Sequence, residues 1–198
     1  MHYSLAEEEN KVPKIRLVNH DLKYSEQIFK LSSFPAVKNA LGLPDGTVED
    51  TKLFIKRVLK EEFEGITVSK VIVNEQNDLV GLTELMFIDP EKKICHVGTW
   101  IGYEYWGLGY NLASKIAILE IAFEQLELDY VFACARKVNL RSQKAQEKLP
   151  FIRLSVEADF PEEHKALESK EKQACILNVF YKEDFFRYME KAKSFSTY

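Results

Sequence analysis

The chain has 198 residues, 46% of them hydrophobic and 12% aromatic, with no tract of biased composition, so it is not a disordered polymer and can bury one enzyme-sized core. A net charge of -4 removes the broad basic surface that nucleic-acid binding needs, and no apolar run approaches the ~18 residues of a membrane span. Cys95, Cys134 and Cys175 are odd in number, widely spaced and without a CxxC pair, which suits a reducing compartment better than a disulfide framework. The N-terminal MHYSLAEEEN lacks a basic and an apolar leader region, so a cytoplasmic protein is expected, with neither nucleic acid nor membrane as partner. No metal is expected either, because Cys95 and His96 are adjacent on a strand pattern and point to opposite faces.

Residues 1–12 carry the like-charge run Glu7, Glu8 and Glu9 and read as a flexible tail, with 13–198 as a single domain opening at Pro13. KIRLV (14–18) alternates as a strand, and 20–31 places Tyr24, Ile28 and Leu31 on one helical face. FPAVKNALGLPDG (34–46) is rich in Pro and Gly and reads as a loop. Thr47 with Asp50 three residues on marks the start of a helix over 48–63, which Gly65 ends. ITVSKVIV (66–73), LVGLTELMFI (79–88) and KKICHVGTWI (92–101) are strands joined by the turns NEQND and DPEK, an antiparallel meander. From 110 to 127 Leu112, Ile116, Leu119, Phe123 and Leu126 recur at helical spacing, with Lys115, Glu120 and Glu124 between them. A strand at 130–136, a short helix at 140–148 and closing strands at 151–158 and 173–181 follow. This order predicts an α+β fold with a mixed sheet covered by helices, and one right-handed βαβ crossover over 92–136.

The loop at 102–109 lies at the carboxyl end of a crossover strand and runs into the strongest helix. Gly107 and Gly109 allow backbone geometry that side chains forbid, and the helix N-terminus adds free N–H groups and a positive dipole end, so a diphosphate can bind without a lysine. A Walker A loop is excluded, because no GK[ST] follows, and the dinucleotide fingerprint fails where Leu112 replaces its third glycine. The GxG alone fits a tight turn beneath a packed Trp106 equally well.

Two segments together narrow this. YWGLGYNLAS (105–114) and, one βα unit downstream, Asn139, Ser142, Lys148 and Phe151 in VNLRSQKAQEKLPF resemble the two linked motifs of the GNAT acetyltransferase superfamily, in its RimJ/RimL-type branch acting on ribosomal-protein N-termini and small amines. The resemblance spans roughly 14–182 and departs from the branch at Leu108, often basic there, at Pro150, usually glycine, and at His96, where a glutamate is common. It implies a mostly antiparallel sheet flanked by helices, acetyl-CoA as cosubstrate, and transfer of its acetyl group to a primary amine by direct attack in a ternary complex. A homodimer is one assembly left open. A non-catalytic acyl-CoA-binding or regulatory protein of the same fold is the alternative, motivated by His96.

Under the same resemblance, Trp106, Gly107, Leu108, Gly109, Tyr110 and Asn111 cradle the diphosphate, and the backbone of Thr99, Trp100 and Ile101 lines the pantetheine. Asn139 holds the cofactor arm and Ser142 protonates the leaving thiolate, while Arg141 and Lys144 either meet the 3′-phosphate or form a solvated helix face. Asn139 and Ser142 are also common helix caps. The attacking amine needs a base. Glu84 shares a strand face with Leu82 and Met86, where desolvation would raise its pKa, unless the strand simply turns it to solvent. His96, near Gly98 and Trp100, titrates close to neutrality and is the second candidate, unless it is a hydrogen-bonded, half-buried histidine. Tyr103, Tyr105 and Tyr110 crowd the loop as packing or as proton donors.

Overall fold

A seven-stranded sheet runs through the computed structural model, which describes residues 12–195; the expected tail therefore lies, Val12 apart, outside the described residues. Its strands are β1 (Ile15–Asn19), β2 (Val68–Asn74), β3 (Leu79–Asp89), β4 (Ile94–Ile101), β5 (Tyr130–Arg136), β6 (Ile152–Arg153) and β7 (Cys175–Tyr181). They lie in the order β1-β2-β3-β4-β5-β7-β6, and every pair is antiparallel except β4 with β5. The meander and the single parallel crossover match the sequence expectation. Both meander turns place a non-glycine residue in the left-handed region, Asn77 at φ 68° and Lys93 at φ 55°.

The helices are α1 (Ser25–Ser32), α2 (Pro35–Leu41), α3 (Val48–Phe63), α4 (Tyr110–Glu120), α5 (Leu140–Glu147), α6 (Pro161–Glu171) and α7 (Lys182–Phe195). α3 begins at the expected capping box: the Thr47 hydroxyl accepts from Asp50 N at 3.3 Å, and the Asp50 carboxylate accepts from Thr47 N at 2.8 Å. Several expectations are corrected. The first helix starts with a 3-10 turn, Leu22–Tyr24, before α1. The expected loop at 34–46 contains α2, because Pro35 presets the first helical φ, Val37 anchors the helix in the core, and Gly42 at φ 68° closes it. The long helix at 110–127 changes to a π turn over Ile121–Gln125, which sets Ala122 and Phe123 into the core. The closing strand at 151–158 shrinks to β6, and α6 and α7 were not foreseen. α6 buries only Leu167 and so shows almost no apolar period. α7 does carry one, in the i, i+3, i+4 spacing of Phe185, Tyr188 and Met189.

One face of the sheet packs Leu85, Cys95, Val97, Val131 and Phe180 against Ile118, Leu119 and Phe123 of the crossover helix and Phe185 of α7. The opposite face divides. Over β2 and β3 it meets Ile28, Leu31 and Ile55 of α1 and α3, and over β5 and β7 it meets Leu167 of α6 with Phe132, Leu177 and Val179. β4 passes beneath the gap between these two groups of helices.

Candidate active site

β4 and β5 pair only from Ile94 with Tyr130 to Val97 with Ala133, although β4 continues to Ile101 and β5 to Arg136. Beyond Val97 a cleft of about 1560 Å3 lies between them, lined by Gly98, Thr99, Trp100 and Ile101 on one side and Ala133 and Cys134 on the other. The β5-facing backbone of Gly98–Ile101 therefore has no strand partner among the described residues.

The glycine loop closes one end of the cleft. Gly107 and Gly109 have φ of 78° and 84°, and a Cβ on Gly107 would meet nothing within 4 Å, so open space faces the loop. Gly109 is the N-cap of α4 and offers no side-chain acceptor, which leaves the first-turn N–H groups free of a side-chain cap. Tyr110 and Asn111 open that turn and line the cleft, as do Trp106, Gly107 and Gly109; Leu108 points outward and is 55% exposed. Trp106 donates its indole N–H to the Ile101 carbonyl at 2.7 Å and carries the Arg141 guanidinium 3.2 Å from its ring centroid. Tyr103 stacks on Phe34 at 4.4 Å, and Tyr105 meets Tyr110 edge-on at 5.7 Å, so these tyrosines pack the loop.

Asn139 caps α5: its Oδ1 accepts from Ser142 N at 3.1 Å, while its Nδ2 donates to the Ala40 carbonyl at 3.0 Å. Arg136 donates to the same carbonyl at 2.8 Å, a fastening of α2 to the end of β5 that sequence reasoning missed. Ser142 accepts from Gln146 Nε2 at 3.2 Å; it lines the cleft with Asn139, Arg141 and the exposed Lys144. The capping role of Asn139 is thus present together with its cleft position, whereas Ser142 lines the cleft without capping the helix.

Glu84 lies on the cleft face of β3 between Leu82 and Met86, directly across from Gly98 of β4. Thr67 donates to its Oε1 at 2.9 Å, and burial raises its pKa against the opposing effects of Thr67, Arg57 and Lys170. His96 shares this sheet face but is absent from the cleft lining. It sits where β4 and β5 are still paired, under α6, with Nε2 3.4 Å from Glu163 and its ring 5.4 Å from Phe132. Burial lowers its pKa against the pull of Glu163. The half-buried structural histidine is what the fold builds, and His96, although diagonal to Glu84 across β3 and β4, lies outside the cleft lining that Glu84 and Ser142 share. The expected polar position of Lys115 is also corrected. It is only 4% exposed, it faces the cleft, and its amine bonds the Thr99 hydroxyl, which lies 2.7 Å from that of Thr83. Burial, with no carboxylate partner among the described residues, lowers its pKa to about 7. Nothing in its helical spacing signalled this, because depth beneath a cleft is a tertiary property.

Cys95 is buried on the opposite sheet face from His96, and among the described residues no group of three or more His, Cys, Asp and Glu could hold a metal ion. Among the same residues no helix is long and apolar enough to cross a membrane. The family described as Acetyltransferase (GNAT) domain matches residues 14–152. The chain belongs to the GNAT acetyltransferase family. Within it, a putative ribosomal N-acetyltransferase, YdaF, of Bacillus subtilis is 32% identical over 74 residues, 37% of this chain, and the chain spans 40% of that relative's length. The GNAT fold recurs in a spermidine N-acetyltransferase of Vibrio cholerae solved with CoA and spermine, at TM-score 0.66 and 13% identity, covering 87% of this chain and 98% of that one. It recurs also in RimL, a ribosomal L7/L12 α-N-protein acetyltransferase, at TM-score 0.65 and 16% identity, covering 84% and 88%.

Proposed function

We propose that this GNAT chain transfers the acetyl group of acetyl-CoA to a primary amine, either a small amine or a protein N-terminus, by direct attack in a ternary complex. The observation that carries the reading is the position of Glu84: a desolvated carboxylate stands across from Gly98, at the point where β4 leaves β5 and the cleft opens. Residues 13–198 are read as one catalytic domain, which the single sheet from β1 to β7 supports. Two of the three free cysteines are buried, which supports a reducing, cytoplasmic setting.

The cosubstrate supplies an acetyl thioester. Its diphosphate is assigned to the amides of Gly107–Asn111 and the N-terminus of α4, where the open space at Gly107 and the uncapped first turn suit an anion. Arg141 and Lys144 are assigned to the 3′-phosphate, and the stretch Thr99, Trp100 and Ile101, which β5 does not cover, to the pantetheine. Glu84 takes the proton that the amine releases as it attacks, a role favoured by its raised pKa. Ser142, steadied by Asn139 and Gln146, returns a proton to the leaving thiolate. Cys134 also lines the cleft, but burial pushes its thiol up to about 11, so it stays protonated near neutrality and serves poorly as an acyl carrier. Direct transfer is favoured for that reason.

The α5 end of the cleft carries Arg141, Lys144 and Lys148, which supports an anionic cosubstrate there; away from it Lys38 pairs with Asp45, and Asp50 and Glu84 are the further carboxylates of the lining, which supports a cationic acceptor beside them. The test is incubation with acetyl-CoA and a panel of putrescine, spermidine and short N-terminal peptides, with free thiol followed in time. Amine-dependent thiol release is expected. Tight CoA binding with no release from any acceptor would overturn the catalytic reading in favour of a CoA-binding protein.

A further inference from the structure

The register of β2, β3 and β4 sets Ser69, Glu84 and Gly98 in one row across the sheet, and all three line the cleft. Ser69 is 1% exposed, and its hydroxyl lies 2.9 Å from Nε2 of His20, the residue just past β1. His20 is buried in turn, with its ring edge-on to Phe54 at 5.8 Å. Its Nδ1 is a buried polar atom without a hydrogen-bond partner among the described residues. Burying an imidazole with one nitrogen unsatisfied costs free energy that an apolar residue would not cost. What the histidine does at that expense is hold the Ser69 hydroxyl.

A hydroxyl has one proton and two lone pairs, so in either tautomer of His20 at least one lone pair of Ser69 Oγ stays open to a donor. Directly opposed residues on antiparallel strands have Cβ atoms about 5 Å apart, which puts the Ser69 hydroxyl and the Glu84 carboxylate side by side on the scale of a single nitrogen. A neutral primary amine presents two N–H groups and one lone pair. We propose that Glu84 and Ser69 receive the two N–H groups of the attacking amine, that His20 acts as the positioning residue for Ser69, and that the pair selects primary over N-alkylated amines. This rests on the acetyl-transfer reading above and adds the residues that select the primary amine.

With both N–H groups turned toward β2 and β3, the lone pair is free to face β4 at Gly98, where the neighbour over the missing side chain is the methyl end of the flexible Met86, 3.1 Å from the place a Cβ would take. The nitrogen forms a C–N bond to the thioester carbonyl carbon, the C–S bond breaks, and the sulfur leaves as thiolate. One N–H proton passes to Glu84. The other stays in the product amide, still directed at Ser69. An N-methyl amine places carbon where the second N–H belongs and loses the Ser69 bond.

The experiment compares putrescine with its N,N′-dimethyl derivative on the wild type and on Ser69→Ala, Ser69→Thr and His20→Phe, with CoA affinity and melting temperature measured for each. The wild type is expected to favour putrescine in kcat/KM by about tenfold, the worth of one hydrogen bond. Ser69→Ala should raise KM for putrescine by a similar factor and level the two amines while leaving CoA affinity unchanged, and Ser69→Thr should restore the preference. His20→Phe should shift KM in the same direction with kcat nearly constant, which a purely structural histidine would not do. A wild type indifferent to N-methylation, or a Ser69→Ala variant that keeps the full preference, would overturn the clamp and leave acetyl transfer standing. A wild type that binds CoA but releases no thiol with any amine would overturn acetyl transfer, and the clamp with it.

Discussion

The two halves of the β4–β5 pair differ sharply in chemistry although they share the same strands. From Ile94 to Val97 the ladder is closed, α6 lies over it, and His96 is held between Glu163 and Phe132. From Gly98 to Ile101 the ladder is open, and the same sheet face presents Glu84 to a cleft that ends at the glycine loop. His96 and Glu84 are diagonal neighbours across β3 and β4, yet one is structural and the other faces the cleft. Strand separation, rather than residue type, decides which titratable group has room for a substrate.

This contrast can be broken from either side. The largest effect is expected in the open half: Glu84→Gln should lower kcat/KM roughly a hundredfold to ten-thousandfold without altering CoA affinity. Glu84 must be deprotonated to act, and its pKa is raised, so wild-type activity should fall as pH drops through a value above the ordinary 4.5 of glutamate, and the variant should lose that acid limb. In the closed half Phe132→Ala should destabilise the fold by about 3–5 kcal/mol, read by denaturant unfolding, because it empties a fully packed site.

Gly109→Val should weaken CoA binding by about a hundredfold or more, because it strains a left-handed position and displaces several amides worth ~1 kcal/mol each, and calorimetry reads this directly. Next comes a pH effect on stability. His20 and His96 are both held below their ordinary 6.5, chiefly by burial, and His20 falls to about 4. A histidine whose pKa is lowered in the fold takes up its proton more readily in the unfolded chain, so melting temperature should decline as pH falls below about 6.5, with His20 accounting for about 3 kcal/mol at most, reached as pH falls to about 4. The smallest effect should come from His96→Asn, which should change kcat/KM by less than about threefold, or ~0.6 kcal/mol; a large loss of activity would place His96 in the reaction after all.

Much of this was legible in local sequence. Alternation located the meander strands, and Thr47 with Asp50 marked the start of α3. The spacing of Leu82, Glu84 and Met86 placed all three on the face that lines the cleft. What could not be read had no local period. α2 was hidden by its Pro and Gly, and α6 by a polar surface that buries one leucine. Lys115 looked like a solvated residue among apolar neighbours, and the pairing of His20 with Ser69 spans 49 positions.

The sequence by itself determined the order of most elements, the glycine loop with its downstream partner motif, and therefore the family, because all of these depend on short-range periodicity and residue identity. Only the tertiary structure decided which ionisable groups face the cleft. That choice depends on where β5 separates from β4 and which helix covers each half, a long-range packing outcome that leaves Glu84 and Lys115 at the opening and seals His96 under α6.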